Sequence, residues 1–131
     1  GRILFISSEC AVLTPSNLLA YSVTKTALLG LSKGLSGLTK GSKVTVNTLL
    51  PGSTLTDGAQ NFLEAVALKT GQSVEQVEKE FFKTDRPNSL IQRFETVQEI
   101  ADAAVFLCSP SASAINGTAL RVDGGSVGGF F

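Results

Sequence analysis

The chain has no histidine, methionine or tryptophan, a single tyrosine and two cysteines. Without histidine it lacks the usual base of a serine or cysteine hydrolase and the commonest zinc ligand. Cys10 and Cys108 are too few and too far apart for a disulfide framework or a thiolate metal site, which points to free thiols in a reducing cytoplasm. Neither charge is in excess, since Lys plus Arg and Asp plus Glu each total 11. That balance gives no reason to expect nucleic acid or a membrane surface as a partner. No apolar run approaches the ~20 residues of a membrane span, and no stretch reads as a secretory signal.

What remains is the composition of a globular α/β chain. A hydrophobic content of 43% suits one core, and a chain of this length fits one domain burying roughly two-thirds of its unfolded surface. Ile3 to Ile6 reads as a strand. Asn17 to about Leu38 reads as a long helix closed by Gly41, with Leu28, Leu31, Leu35 and Leu38 stepping along its core-facing stripe. Val44 to Leu50 reads as a buried parallel strand stopped by Pro51-Gly52. Two shorter amphipathic segments follow, Phe62 to Lys69 and Val74 to Lys83. Thr96-Val97-Gln98-Glu99 forms a capping box that starts a helix through Ile100, Ala103, Ala104 and Leu107, and Leu120 to Val122 is the last strand. Strands alternating with helices predict a parallel sheet with right-handed crossovers.

Chemistry concentrates in three residues. Tyr21 and Lys25 stand at i and i+4 near the front of the long helix, on one face. A free phenol, with a pKa of about 10, is a poor base at neutral pH, and a neighbouring cation favours its ionised form. Ser8 ends the first strand, where its hydroxyl could bond a substrate oxygen while Tyr21 gives or takes the proton. A Tyr-x-x-x-Lys spacing alone is common on helices and usually marks a half-buried ring beside a solvated lysine, so the surrounding motifs decide the reading.

Those motifs are Gly1-Arg2-Ile3-Leu4-Phe5-Ile6-Ser7-Ser8, Tyr21-Ser22-Val23-Thr24-Lys25-Thr26-Ala27, Val46-Asn47-Thr48-Leu49-Leu50-Pro51-Gly52, and Asn116-Gly117 leading to Val122-Asp123-Gly124-Gly125. In that order they closely resemble the C-terminal half of short-chain dehydrogenases/reductases. The resemblance implies a partial Rossmann-like parallel sheet with flanking helices, covering residues 1–131 as the back part of a single domain, with 57–90 as a variable substrate lid. It also implies catalytic roles for Ser8, Tyr21 and Lys25. Ser7 is the rival to Ser8, and the family's spacing to the tyrosine favours Ser8. Thr24 stands where the family often has Ser. Lys25 would also hold the ribose of NAD or NADP. Pro51, Gly52, Thr54 and Thr56 would face the nicotinamide, with Thr56 bonding its carboxamide.

The expected function is alcohol–ketone interconversion by hydride transfer on a small carbonyl or alcohol substrate, in a homodimer or homotetramer packed through the long helix. Leu18, Leu19, Val23 and Leu29 supply the extra apolar positions on that helix. Aromatic residues Phe62, Phe81 and Phe82 would serve the lid. No glycine-rich phosphate loop opens a βα unit in these residues. Gly124-Gly125 and Gly128-Gly129 follow a strand with no helix after them, so they do not cradle a pyrophosphate. The family's adenine-ribose selector and its catalytic Asn are also absent, as is any initiator methionine. These residues are therefore expected to be the back half of a longer protein, inactive alone. The alternative is a noncatalytic fragment or scaffold whose first strand presents an open edge. A Ser8–Lys25 hydrolase dyad would leave Tyr21 and the Pro-Gly loop without roles.

Overall fold

The computed structural model describes residues 1–129. Three parallel strands, β1 (Arg2–Ile6), β2 (Thr45–Pro51) and β5 (Ala119–Val122), form one sheet in the order β1-β2-β5. Arg2 to Ile6 pair with Thr45 to Leu49, and Thr48 to Pro51 pair with Ala119 to Val122. Val46, Leu49 and Leu50 of β2 are 0–1% exposed, as expected of a parallel strand covered on both faces. Two asparagines complete its hydrogen bonding beyond the ladder. Val46 N donates to Asn116 Oδ1 at 2.8 Å, and Asn47 Nδ2 donates to the Ile115 carbonyl at 2.8 Å. A second parallel pair, β3 (Thr54–Leu55) with β4 (Glu95–Thr96), was not expected from the sequence. Two residues per strand are too few to show any period.

A short helix α1 (Cys10–Leu13) and a 3₁₀ turn (Ser16–Leu18) lead into α2 (Leu19–Leu38), so the long helix begins two residues later than expected. Its buried face also differs from the expected one. Ser22 and Ser32 are buried at 0% and 2% exposure, whereas Leu31 and Leu38 stand 51% and 83% exposed. Small side chains let the helix approach the sheet closely, and Leu31 and Leu38 point away from it while Leu28 and Leu35 stay half-buried. Gly41 does not close the helix. The cap falls at Thr39, and Gly41 takes a φ of 77° in the following turn.

The stretch expected as a lid holds two helices, α3 (Asp57–Thr70) and α4 (Val74–Thr84), each containing the segment expected there. Gly71 ends α3 in the left-handed region, and Ser73 with Gln76 forms a capping box on α4. The expected box of Thr96 and Glu99 starts α5 (Val97–Cys108). Arg93 clasps Glu99 with two bonds of 3.0 and 2.7 Å, holding that carboxyl's pKa down at about 2. Leu63, Ala67, Val77, Phe82 and Phe94 form a buried cluster. Phe81, Phe82 and Phe94 lie with ring centroids 5.1 Å apart in each pair, a favourable aromatic geometry. Of the three aromatics expected to serve a lid, Phe82 and Phe81 pack against Phe94, and Phe62 stands 59% exposed. Both α2 and α5 pack against the sheet, and no helix among the described residues is long and apolar enough to cross a membrane.

Candidate active site

The carboxyl ends of β1 and β2 open onto a cleft of about 370 Å³. Ligands of open α/β sheets bind beyond such strand ends. Ser8, Tyr21 and Lys25 border it from the β1 end and α2, and Pro51, Gly52, Thr54 and Thr56 border it from the β2 end. Every site residue expected from the sequence thus lies on this one cleft. Val97 and Ile100 of α5 add an apolar wall.

The two candidate serines differ in what their hydroxyls do. Ser7 donates to the Lys25 carbonyl at 2.8 Å, tying β1 to α2. Ser8 accepts from Cys10 N at 3.1 Å. A hydroxyl that accepts can still donate, and among the described residues the Ser8 O–H has no acceptor. Tyr21 is 44% exposed at the cleft mouth. Lys25 Nζ stands 5.5 Å from the Tyr21 ring centroid and donates to the Ile6 carbonyl at 3.2 Å. That bond leaves two ammonium protons to offer and fixes the cation beside the phenol.

The turn after β2 is tightly packed. A Cβ on Gly52 would lie 2.7 Å from both Asp123 Cα and Glu95 Oε1, so only glycine brings the backbone this close. Thr54 donates to the Gly52 carbonyl at 3.1 Å, and Thr56 Oγ1 caps α3 by accepting from Ala59 N at 3.3 Å. As with Ser8, accepting leaves the Thr56 O–H free to donate. Beside this turn, just past β5, the Asp123 carboxylate accepts from Gly125 N and Val127 N, both at 3.1 Å. The Gly124 carbonyl accepts from Leu90 N at 2.8 Å, so these glycines receive the chain returning from the lid.

Beneath the cleft lie charges that sequence reasoning did not single out. Arg86 Nε donates to Glu9 Oε1 at 2.6 Å. Burial works against the Arg86 charge, and the hydrogen bond and charge of Glu9 outweigh it, raising its pKa. Glu95 is 4% exposed, and its Oε2 has no partner among the described residues. Burial above all, reinforced by the negative charges of Glu9, Asp123 and Glu99 against the pull of a backbone hydrogen bond, pushes its pKa up to about 7. The signal available was an acidic residue set among apolar and small ones, as in Ser8-Glu9-Cys10-Ala11 and Arg93-Phe94-Glu95. No group of three metal-ligating side chains occurs among the described residues.

Comparison with known proteins covers nearly all of the chain. Residues 1–127 match the family described as enoyl-(acyl carrier protein) reductase. The chain is 50% identical over 127 residues to YvrD, an uncharacterized oxidoreductase of Bacillus subtilis, covering 97% of this chain and 48% of that protein. It is 33% identical over 127 residues to D-beta-hydroxybutyrate dehydrogenase of Cupriavidus necator, covering 97% and 48%. L-sorbose reductase of Gluconobacter frateurii, solved with NADPH and L-sorbose, superposes with a TM-score of 0.90 at 30% identity, covering 99% of this chain and 48% of that one. The chain spans about half the length of the relatives it matches.

Proposed function

The chain belongs to the short-chain dehydrogenase/reductase family, and from that premise we propose that it carries the catalytic half of an NAD(P)-dependent enzyme interconverting an alcohol and a ketone. The observation that carries this reading is the meeting of Ser8, Tyr21 and Lys25 with the Pro51–Thr56 turn around one cleft. Solved relatives hold NADPH with L-sorbose, or NADH with a 7-oxo bile acid. The donor set here suits the nicotinamide end of such a cofactor. It comprises the Lys25 ammonium and the two hydroxyl groups of Ser8 and Thr56 free to donate.

When bound, the cofactor supplies or accepts the hydride at the substrate carbon. Ser8 O–H would donate to the substrate oxygen and hold it toward Tyr21. In the reductive direction Tyr21 gives its phenolic proton to that oxygen as charge builds there. Lys25, beside the ring, stabilises the negative charge left on Tyr21, and its remaining protons would hold the ribose hydroxyls. Thr56, with Pro51, Gly52 and Thr54, would orient the carboxamide. We assign the pyrophosphate and adenosine to the part of the fold that the relatives have and this chain does not span. On this reading residues 57–90 form the substrate lid of a single Rossmann-type domain, the free thiols Cys10 and Cys108 suit a reducing cytoplasm, and the 131 residues alone are inactive.

Tyr21→Phe in the full-length protein tests the reading. We expect kcat to fall about 10²- to 10⁴-fold with dinucleotide affinity nearly intact, and retention of more than a few per cent of kcat would remove Tyr21 from its role. Lys25→Ala should lower both kcat and cofactor affinity. Unchanged affinity in that variant would refute the ribose contact.

A further inference from the structure

Glu9 and Arg86 have no part in the scheme above, yet they meet beneath the site with side chains only 3% and 14% exposed. Glu9 directly follows Ser8. Its backbone N–H donates to the Pro51 carbonyl at 2.8 Å, and Ser53 Oγ reaches its Oε1 at 3.4 Å. Arg86 comes just after α4. Its backbone N–H donates to the Phe81 carbonyl at 3.1 Å, its guanidinium stands 5.8 Å from the Phe81 ring centroid, and Nη2 faces Cys10 Sγ at 3.8 Å. One ion pair therefore joins the serine corner, the turn after β2 and the trailing end of the lid.

Burying two ions costs several kcal/mol each, and attraction offsets that only in good geometry. Glu9 Oε2 has no partner among the described residues, and the Glu95 carboxyl stands close enough for the two acids to repel. Arg86 is the cation that compensates this site. We infer that Glu9 and Arg86 are positioning residues whose ion pair sets the Ser8 corner and the Pro51–Thr54 turn at the separation hydride transfer requires. The inference rests on the oxidoreductase reading, and neither residue touches a reacting atom.

The test uses the full-length protein with Glu9→Gln, Arg86→Met and the double variant, titrated with NADH or NADPH, whichever it uses, and with the matching ADP-ribose, which lacks nicotinamide. A displaced turn should weaken the reduced dinucleotide about tenfold and lower kcat about a hundredfold, leaving ADP-ribose affinity unchanged. The double variant should be no worse than the worse single one, because both remove the same interaction. Equal weakening of both ligands, which general loss of structure would give, overturns the inference, as does no change in either. If Arg86→Met fails to fold, Arg86→Lys serves. It should bind the dinucleotide more tightly with Glu9 present than in the Glu9→Gln background, and equal affinity of Arg86→Lys with and without Glu9 overturns the pairing. Wild-type protein that binds neither ligand refutes the oxidoreductase reading itself, and this inference with it.

Discussion

The proposed lid, α3 with α4, and the long helix α2 use apolar periodicity differently. In α3 and α4 the residues at helical spacing, Leu63, Ala67, Val77 and Phe82, turn inward and meet Phe94. In α2 only part of the leucine row turns outward: Leu31 and Leu38 are exposed and Leu28 and Leu35 half-buried, while Ser22 and Ser32 meet the rest of the fold. A hydrophobic stripe reports that a face wants a partner and not where the partner is. For the lid it lies within the described residues. For α2 we propose a second copy of the chain, giving the homodimer or homotetramer expected from the sequence.

The most damaging way to break this contrast is Phe82→Ala. The side chain is 2% exposed at the centre of the aromatic cluster, and its loss should cost about 3–5 kcal/mol, whereas Leu68→Ala, at 88% exposure, should stay within about 0.5 kcal/mol. Chemical denaturation of the two variants measures the gap, and similar midpoints would mean the lid has no core of its own. Next in size is Leu31→Glu on the outer face of α2. Light scattering at micromolar concentration should fall from an assembled to a monomeric mass, and an assembled mass in the variant, or a monomeric wild type, excludes this helix as the interface.

The smallest effect concerns Glu95, beneath the turn between the two regions. Its pKa is raised from the ordinary 4.5 to about 7, so the folded state holds the proton more tightly than the unfolded chain. That contribution to stability is complete below about pH 4.5 and is lost as pH rises through about 7. Glu95→Gln cannot ionise. It should raise Tm at pH 8, change it little at pH 4, and flatten the dependence between. A Tm at pH 8 equal to or below wild type would show that the carboxylate is stabilised when charged.

The parts of the fold legible in advance were those where local signals suffice. Pro51-Gly52 stops β2, Thr96 and Glu99 start α5, and the strand–helix alternation implies the parallel sheet. Ser8, Tyr21 and Lys25 were nameable because the motifs around them, in their order along the chain, resemble those of a known family, and the structure draws the three to one cleft. The choice between Ser7 and Ser8 rested on spacing, and the hydroxyl of Ser7 proves to be spent on the Lys25 carbonyl. The Glu9–Arg86 pair was out of reach, because its partners are 77 residues apart and neither shows a period. The direction of the α2 stripe was misread for a related reason. Serines at close helix–sheet contacts carry no hydrophobic signal.

The central place of β2 also bears on how the chain reaches this structure. Arg2 must find Thr45, and Thr48 must find Ala119, so both of its ladders close over long stretches of chain. Each closure costs entropy before any pairing rewards it, and folds dominated by such non-local contacts form slowly. The lid, with neighbouring helices joined by a short turn, bears little of that cost. We expect its amides to become protected before those of β2 during refolding, which pulse-labelled hydrogen exchange would read directly. Early protection of β2 would overturn that order.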